Sequence, residues 1–334
     1  MSSVTDTSRR IDRRRFLTIA AAVAGAGLLP GGARAGAVQT ATWHGIALGA
    51  PATLTLQHPD EVVAKQAIAA CLDEVARLEA IYSLHRPDSA LMRLNAASRL
   101  DDAPADLRIL LAEALGLAAQ TDGAFDPTIQ PLWALYARHY STAGAAADGP
   151  DADAVASACA RVGWQHVHID GAGIALQRPG MAVTLNGIAQ GYITDRVGAV
   201  LRARGFANVL VDMGEQLAVG PRWDGTAWRV GVRDPDDPAR IIERLALTGG
   251  AVATSSSPGP GVVSGRGLAH ILDPRTGRPA ARWSTVTVVT ERATRADGLS
   301  TALSLMPADR WRALLGTTAR AYAVPFGARR GDWV

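Results

Sequence analysis

The chain has 334 residues, 48% of them apolar, which is enough to bury one large core or two lobes. Its formal +3 charge sits in the first 35 residues, which hold six Arg and two Asp; 34 less six leaves 28 basic residues and 31 less two leaves 29 acidic, a net −1. That balance excludes a basic nucleic-acid-binding surface, and with Lys65 the only lysine, a site that needs positive charge must use Arg, His or a metal ion.

Arg13-Arg14-Arg15-Phe16-Leu17 reads as a twin-arginine export signal. The apolar run at 19–29 is shorter than the ~20 residues a membrane span needs, and Ala33-Arg34-Ala35 supplies an A-x-A cleavage pattern. We therefore expect a signal peptide over 1–35 and an exported, periplasmic chain over 36–334 with no stable membrane span.

Residues 36–59 read as strands, with apolar and polar residues alternating from Ala52 to Leu56. Asp60 can cap a helix whose apolar face is Val63, Ala67, Ala70, Cys71, Val75 and Leu78. A polar loop at 82–89 leads to a second helix over 104–120 with Pro at its start. Residues 141–153 form a small, polar loop; a short helix then leads to Trp164, and a hairpin crosses Gly171-Ala172-Gly173. Strand 181–185, helix 188–204 and strand 208–212 follow, then short strands to about 290, helices near 296–306 and 308–315, and a closing strand at 319–323. This order argues an α+β fold rather than a doubly wound parallel sheet. Cys71 and Cys159 each lie in an apolar helical pattern and read as buried thiols, although an oxidising compartment would let them pair. No His/Cys zinc spacing is present.

Five polar, glycine-punctuated segments interrupt this periodicity. In the first, 82–95, either Asp88 or Ser89 can cap a short helix. The second, Asp122-Gly123-Ala124-Phe125-Asp126-Pro127, is a helix–loop–helix corner with Gly123 as the C′ residue. The third, Thr184 to Asp195, runs an apolar strand into a glycine turn that opens a helix, a geometry suited to a pyrophosphate although G-x-G-x-x-G is missing. The fourth joins Thr254-Ser255 to His270-Ile271-Leu272-Asp273-Pro274 and the turn ending at Gly277. In the fifth, Asp297 and Thr301 are four apart and share one helix face. A carboxylate and a hydroxyl at a helix start can hold a hard cation, or Asp297 can simply cap the helix while Thr301 bonds back along it.

In this order and over nearly the whole exported chain, the segments resemble the ApbE family of FAD:protein FMN transferases. The resemblance rests on Ser83 to Asn95 (S-x-x-x-x-D-S-x-L-x-x-L-N), Gly123-Ala124-Phe125-Asp126, Gly187-Ile188-Ala189-Gln190-Gly191-Tyr192, Thr254-Ser255, His270 to Pro274 with Gly277, and Ala296-Asp297 with Ser300-Thr301. The wording from Leu185 to Asp195, with Asp212-Met213-Gly214-Glu215 downstream, is most similar to the NosX branch, associated with nitrous-oxide respiration and a NosR-type flavin acceptor.

The resemblance implies mixed sheets with flanking helices and FAD in a cleft between two lobes. It implies Mg²⁺-dependent transfer of FMN from FAD to a Ser/Thr hydroxyl of a partner protein, with AMP released; a non-catalytic FAD carrier or an FAD pyrophosphatase is the alternative. By the same resemblance Leu48, His85, Ala124, Phe125, Asp126, Thr184, Gln190 and Ile271 contact FAD. Asp297, Thr301, Ser300 and the Gly187 carbonyl hold the metal, and His270 is the base for the acceptor hydroxyl. Departures from the family pattern fall at Thr184 (acidic in many relatives), Gln190 (Lys or Glu), His85 (a Tyr) and Leu48 (a Met).

Overall fold

The computed structural model describes residues 39–47, 50–146, 148–234, 236–237, 239–257 and 271–334. The expected leader, Leu48 and His270 lie outside these described residues.

The chain opens with hairpin β1 (Gln39–Ala47) and β2 (Ala50–His58), then α1 (Glu61–Tyr82), α2 (Ala90–Ala97), β3 (Arg99–Leu100) and α3 (Ala105–Gln120). A 3-10 turn at Pro127–Ile129 precedes α4 (Gln130–Ser141), α5 (Ala152–Cys159), and hairpin β4 (Val167–Asp170) and β5 (Gly173–Leu176). Next come α6 (Ala189–Ala203), β6 (Val209–Asp212), β7 (Gln216–Val219), hairpin β8 (Trp228–Arg233) and β9 (Ile241–Leu247), and β10 (Gly250–Ser256). The short pair β11 (Leu272–Asp273) and β12 (Arg278–Pro279) leads to β13 (Thr285–Thr290), α7 (Ala293–Leu303), α8 (Trp311–Leu315), β14 (Arg320–Val324) and β15 (Asp332–Trp333).

Eight strands form one sheet in the order β1-β2-β6-β7-β10-β13-β14-β15, each neighbour antiparallel. Its central strand β10 is apolar and covered on both faces at Ala251–Ala253. Ala251 and Ala253 face the main core with α1, α6 and α7, while Val252 between them meets Trp228, Val230 and Leu247 of the β8–β9 hairpin. Each fully buried Leu or Val in these layers contributes roughly 1.5–3 kcal/mol. A satellite core joins α4 and α5 through Leu132, Tyr136, Val155 and Ala158 to Leu272. The resulting α+β architecture, mixed sheets with flanking helices, is the one expected.

Local chemistry explains where elements begin. Asp60 caps α1 by accepting from Val62 and Val63 N–H (2.8 and 3.2 Å). The buried stripe of α1 is Ala64, Ala67, Ile68, Cys71, Val75 and Leu78, so Val63 faces solvent, contrary to expectation. Of the two candidate caps, Ser89 is the one used: its hydroxyl accepts from Met92 N–H and donates to Ser83 O. Both cysteines are free thiols, Cys71 buried and Cys159 half-buried. Among the described residues no helix is long and apolar enough to cross a membrane.

Three expectations need correction. Residues 181–185 bury alternate side chains as a strand would, but pair with no strand. Instead Asn95 clamps Val183 at both backbone groups (2.7 and 2.8 Å), and Thr184 N–H donates to Pro127 O (2.8 Å). The helix carrying Asp297 starts at Ala293, so Asp297 lies past its first turn rather than at its start. And the chain closes on β15, paired with β14 beyond the strand expected to be last.

Candidate active site

The loop after α3 is built by a Schellman closure. Gly123 N–H bonds Ala118 O (2.9 Å) and Asp122 N–H bonds Ala119 O (3.4 Å), which makes Asp122 the C′ residue and Gly123 the C″ residue. Both have positive φ, 53° and 71°. This reversal turns Ala124, Phe125 and Asp126 inward. Asp126 accepts from the Thr128 N–H (2.8 Å), the Thr128 hydroxyl (2.7 Å) and Trp164 N–H (3.2 Å). Burial still pushes its carboxyl above the usual range, against the pull of those donors.

These residues form one wall of a cleft of about 350 Å³. Phe125, Ile129, Trp133, Ile271, Leu272 and Pro274 make an apolar side, part of it supplied by the satellite core. Thr184, Asn186, Gly187, Gln190, Glu215, Ser255, Asp297 and Thr301 make the polar side. An apolar shelf beside a polar end matches a ligand with a flat ring system at one end and phosphates at the other.

The polar end is set by the packing of α6 on α7. Gly191, in the first turn of α6, donates its N–H to Asp297 Oδ2 (2.9 Å). A Cβ at Gly191 would lie 2.3 Å from Ala293 O, so only glycine permits this approach. Gly187 sits over Thr301, where an added Cβ would lie 3.1 Å from the Thr301 hydroxyl. The Gln190 amide packs over the turn at Gly214, where a Cβ would meet Nε2 at 2.7 Å. The α6 N-terminus is thus not fully open for a pyrophosphate, as its third amide is taken by Asp297.

Asp297 and Glu215, both almost fully buried, face the same cleft. Burial pushes Asp297 up to about 7. Glu215 is raised well above its ordinary value by burial and then by the neighbouring Asp297 charge, against a hydrogen bond from the Thr254 backbone. No Lys, Arg or His is among the described residues lining the cleft, so its three carboxylates, Asp126, Glu215 and Asp297, have no counter-charge among those residues. Among the described residues there is also no cluster of three His, Cys, Asp or Glu. Carboxylate, hydroxyl and carbonyl oxygens are what remain, a set that fits a hard divalent cation completed by water and phosphate.

A carboxyl whose pKa is raised on folding contributes stability below its unfolded pKa and loses it as pH rises through the folded value. Metal-free Glu215→Gln should therefore gain on the parent protein in urea unfolding as pH rises above the ordinary carboxylate range, where the parent loses stability that the glutamine keeps. A parallel pH dependence in the two proteins would show that Glu215 carries no such strain.

Of the expected site residues, Ala124, Phe125, Asp126, Thr184, Gly187, Gln190, Ile271, Asp297 and Thr301 come together at the cleft. His85 does not: it is exposed, and its N–H bonds the Ser83 hydroxyl. Nor does Ser300 line the cleft. It is buried behind Ser255, sharing a 2.8 Å hydrogen bond with that hydroxyl and donating to Asp297 O (2.9 Å). Ser255, Glu215 and Trp133 are cleft residues that the sequence reading assigned no role.

This fold is shared with ApbE flavin transferases. The apo crystal structure of the Pseudomonas stutzeri flavinyl transferase ApbE superposes with a TM-score of 0.76 at 29% identity, covering 89% of this chain and 94% of that one. The ApbE protein of Thermotoga maritima gives 0.76 at 28% identity, over 89% and 96%. The ApbE family model matches residues 48–324, and the chain belongs to the ApbE family. Relatives named FAD:protein FMN transferase include one from Treponema pallidum (strain Nichols), 31% identical over 277 residues and 74% of each chain. Another, from Klebsiella pneumoniae (strain 342), is 30% identical over 236 residues, 68% of this chain and 67% of the relative.

Proposed function

We propose that this protein transfers the FMN half of FAD, with Mg²⁺, to a Ser or Thr hydroxyl of an exported partner, a NosR-type flavoprotein of the kind served by the NosX branch. It is an enzyme of the class its curated relatives are named for, FAD:protein FMN transferases. The observation that carries the reading is Asp297, Thr301 and Gly187 gathered at the polar end of a cleft with no cationic side chain among its described lining residues.

The apolar side at Phe125 and Ile271 holds a flavin or adenine ring, and Thr184 and Gln190 lie where the pyrophosphate passes. The Asp297 carboxylate, the Thr301 hydroxyl and the Gly187 carbonyl would hold the cation, with Ser300 bracing Ser255 behind them. Bound Mg²⁺ supplies neutralisation of the pyrophosphate charge, which phosphoryl transfer needs more than a covalent enzyme group. The acceptor oxygen forms a bond to the FMN-side phosphorus, the phosphoanhydride breaks and AMP departs. His270 takes the hydroxyl proton in this reading, a role typically contributing ~10²–10⁴-fold. The twin-arginine pattern at Arg13-Arg14 supports reading the enzyme as periplasmic.

Incubating residues 36–334 with FAD, Mg²⁺ and a NosR-type flavin domain should yield acceptor-bound FMN by mass spectrometry and one AMP per transfer. EDTA should stop it. Bound FAD with no change in acceptor mass would make the protein a carrier instead, and FMN plus AMP formed without acceptor would make it a pyrophosphatase.

A further inference from the structure

The two helices that form the polar end of the cleft cap each other. The residues at the N-cap positions of α6 and α7, Ile188 and Arg292, make no side-chain capping bond. Each helix borrows a carboxylate from the other. Asp297 of α7 accepts from Gly191 N–H in the first turn of α6. Asp195 of α6 accepts from Ala293 N–H (2.8 Å), Thr294 N–H (3.0 Å) and the Thr294 hydroxyl (2.6 Å) at the start of α7. A carboxylate at each positive helix end is favourable electrostatically as well as by hydrogen bonding. The exchange closes a loop: Asp195 fixes where α7 begins, and Asp297 stands one turn further along it.

We propose that Asp195 is a positioning residue for the reaction: by holding the first turn of α7 it aims the free oxygen of Asp297 at the cation, and so sets cation affinity without touching cation or FAD. The inference rests on the cation reading given above. Gly191 N–H occupies Oδ2, leaving Oδ1 for the metal, so rotation or retreat of α7 by a fraction of an ångström weakens that one contact. Arg292, whose Nε is 3.7 Å from Asp195 Oδ2, also pairs with Glu113 (2.9 Å) and cannot replace the lost cap, since it is a donor.

Asp195→Asn keeps the shape but has only one acceptor for three donors. Binding of Mn²⁺ to the FAD-loaded protein, followed by the free-ion EPR signal, should weaken about tenfold, the usual scale for a lost outer-shell partner. Saturating Mn²⁺ should restore kcat, so the loss appears in the metal concentration needed and not in the chemical step. Thr294→Val, which removes one bond of the three and leaves both backbone caps, should weaken Mn²⁺ binding by a few-fold and keeps the test available if Asp195→Asn does not fold. A lower melting temperature with unchanged Mn²⁺ affinity in both variants would make Asp195 a structural cap only and overturn the proposal. Asp297→Ala binding Mn²⁺ as tightly as the parent would remove the cation reading itself, and the two failures are distinct.

Discussion

Asp297→Ala is expected to lower kcat/KM for flavin transfer by about a thousandfold and to abolish the response to Mg²⁺. Removing one preorganised stabiliser of transition-state charge typically costs about 10²–10³ in rate, and here no neighbouring Lys, Arg or His among the described cleft residues can compensate. Part of the effect is structural. Gly191 N–H loses its acceptor in a buried site, a cost of about 1–3 kcal/mol that does not depend on metal. Asp297→Asn separates the two contributions, because its amide oxygen still accepts from Gly191 while the charge is gone. Urea unfolding should then return close to the parent value, with transfer still reduced at least a hundredfold. If Asn restores both stability and Mg²⁺-dependent transfer, Asp297 holds the helices together and is not a metal ligand. FAD binding should fall less than transfer in either variant, since the apolar wall at Phe125, Trp133 and Leu272 is untouched.

Much of this site could be read from the sequence because its pieces are local. Asp297 and Thr301 share a helix face at i and i+4, the Gly123 corner is a local backbone closure, and Gly187 to Gly191 spans a single turn. Glu215 was in view as part of Asp212-Met213-Gly214-Glu215, yet nothing local says that it meets Asp297. That meeting depends on strand order. β7 pairs with β10 in a register of Gln216 opposite Val252, which brings Glu215 beside Thr254 and under α7. Trp133 sits on α4, whose apolar face reads as ordinary core until the satellite cluster turns that ring to the cleft. The misread strand at 181–185 has the same origin. Its period of two is real, but the ladder partner is the side chain of Asn95, 88 residues earlier. His85 fails for the opposite reason: its place in the motif suggests the cleft, whereas the residue is exposed and does not line it.

Gly191→Ala should destabilise the protein by about 2–3 kcal/mol and cut transfer by about a hundredfold, although alanine is the better helix former. In an exposed helix interior the exchange gains about 1 kcal/mol. Gly116, inside α3 with nothing within 4 Å of an added Cβ, is where that gain should be seen. At Gly191 the new methyl would stand 2.3 Å from Ala293 O and 2.6 Å from Ala293 C, with Asp297 Cβ at 2.8 Å. Two of those three atoms are backbone of α7, so no side-chain rotation relieves the contact and the helices must separate. Overpacking of this kind costs typically 1–3 kcal/mol. Separation also stretches the 2.9 Å bond to Asp297 and draws Ala293 and Thr294 off Asp195, so the reciprocal caps weaken together. A shift near 1 Å at a positioned group is enough for a hundredfold loss in rate. Urea midpoints and steady-state rates for Gly191→Ala and Gly116→Ala, measured side by side, decide the point. If both substitutions stabilise the protein and leave transfer intact, α6 and α7 tolerate a wider spacing, and the close approach at Gly191 does not set the geometry of the polar end.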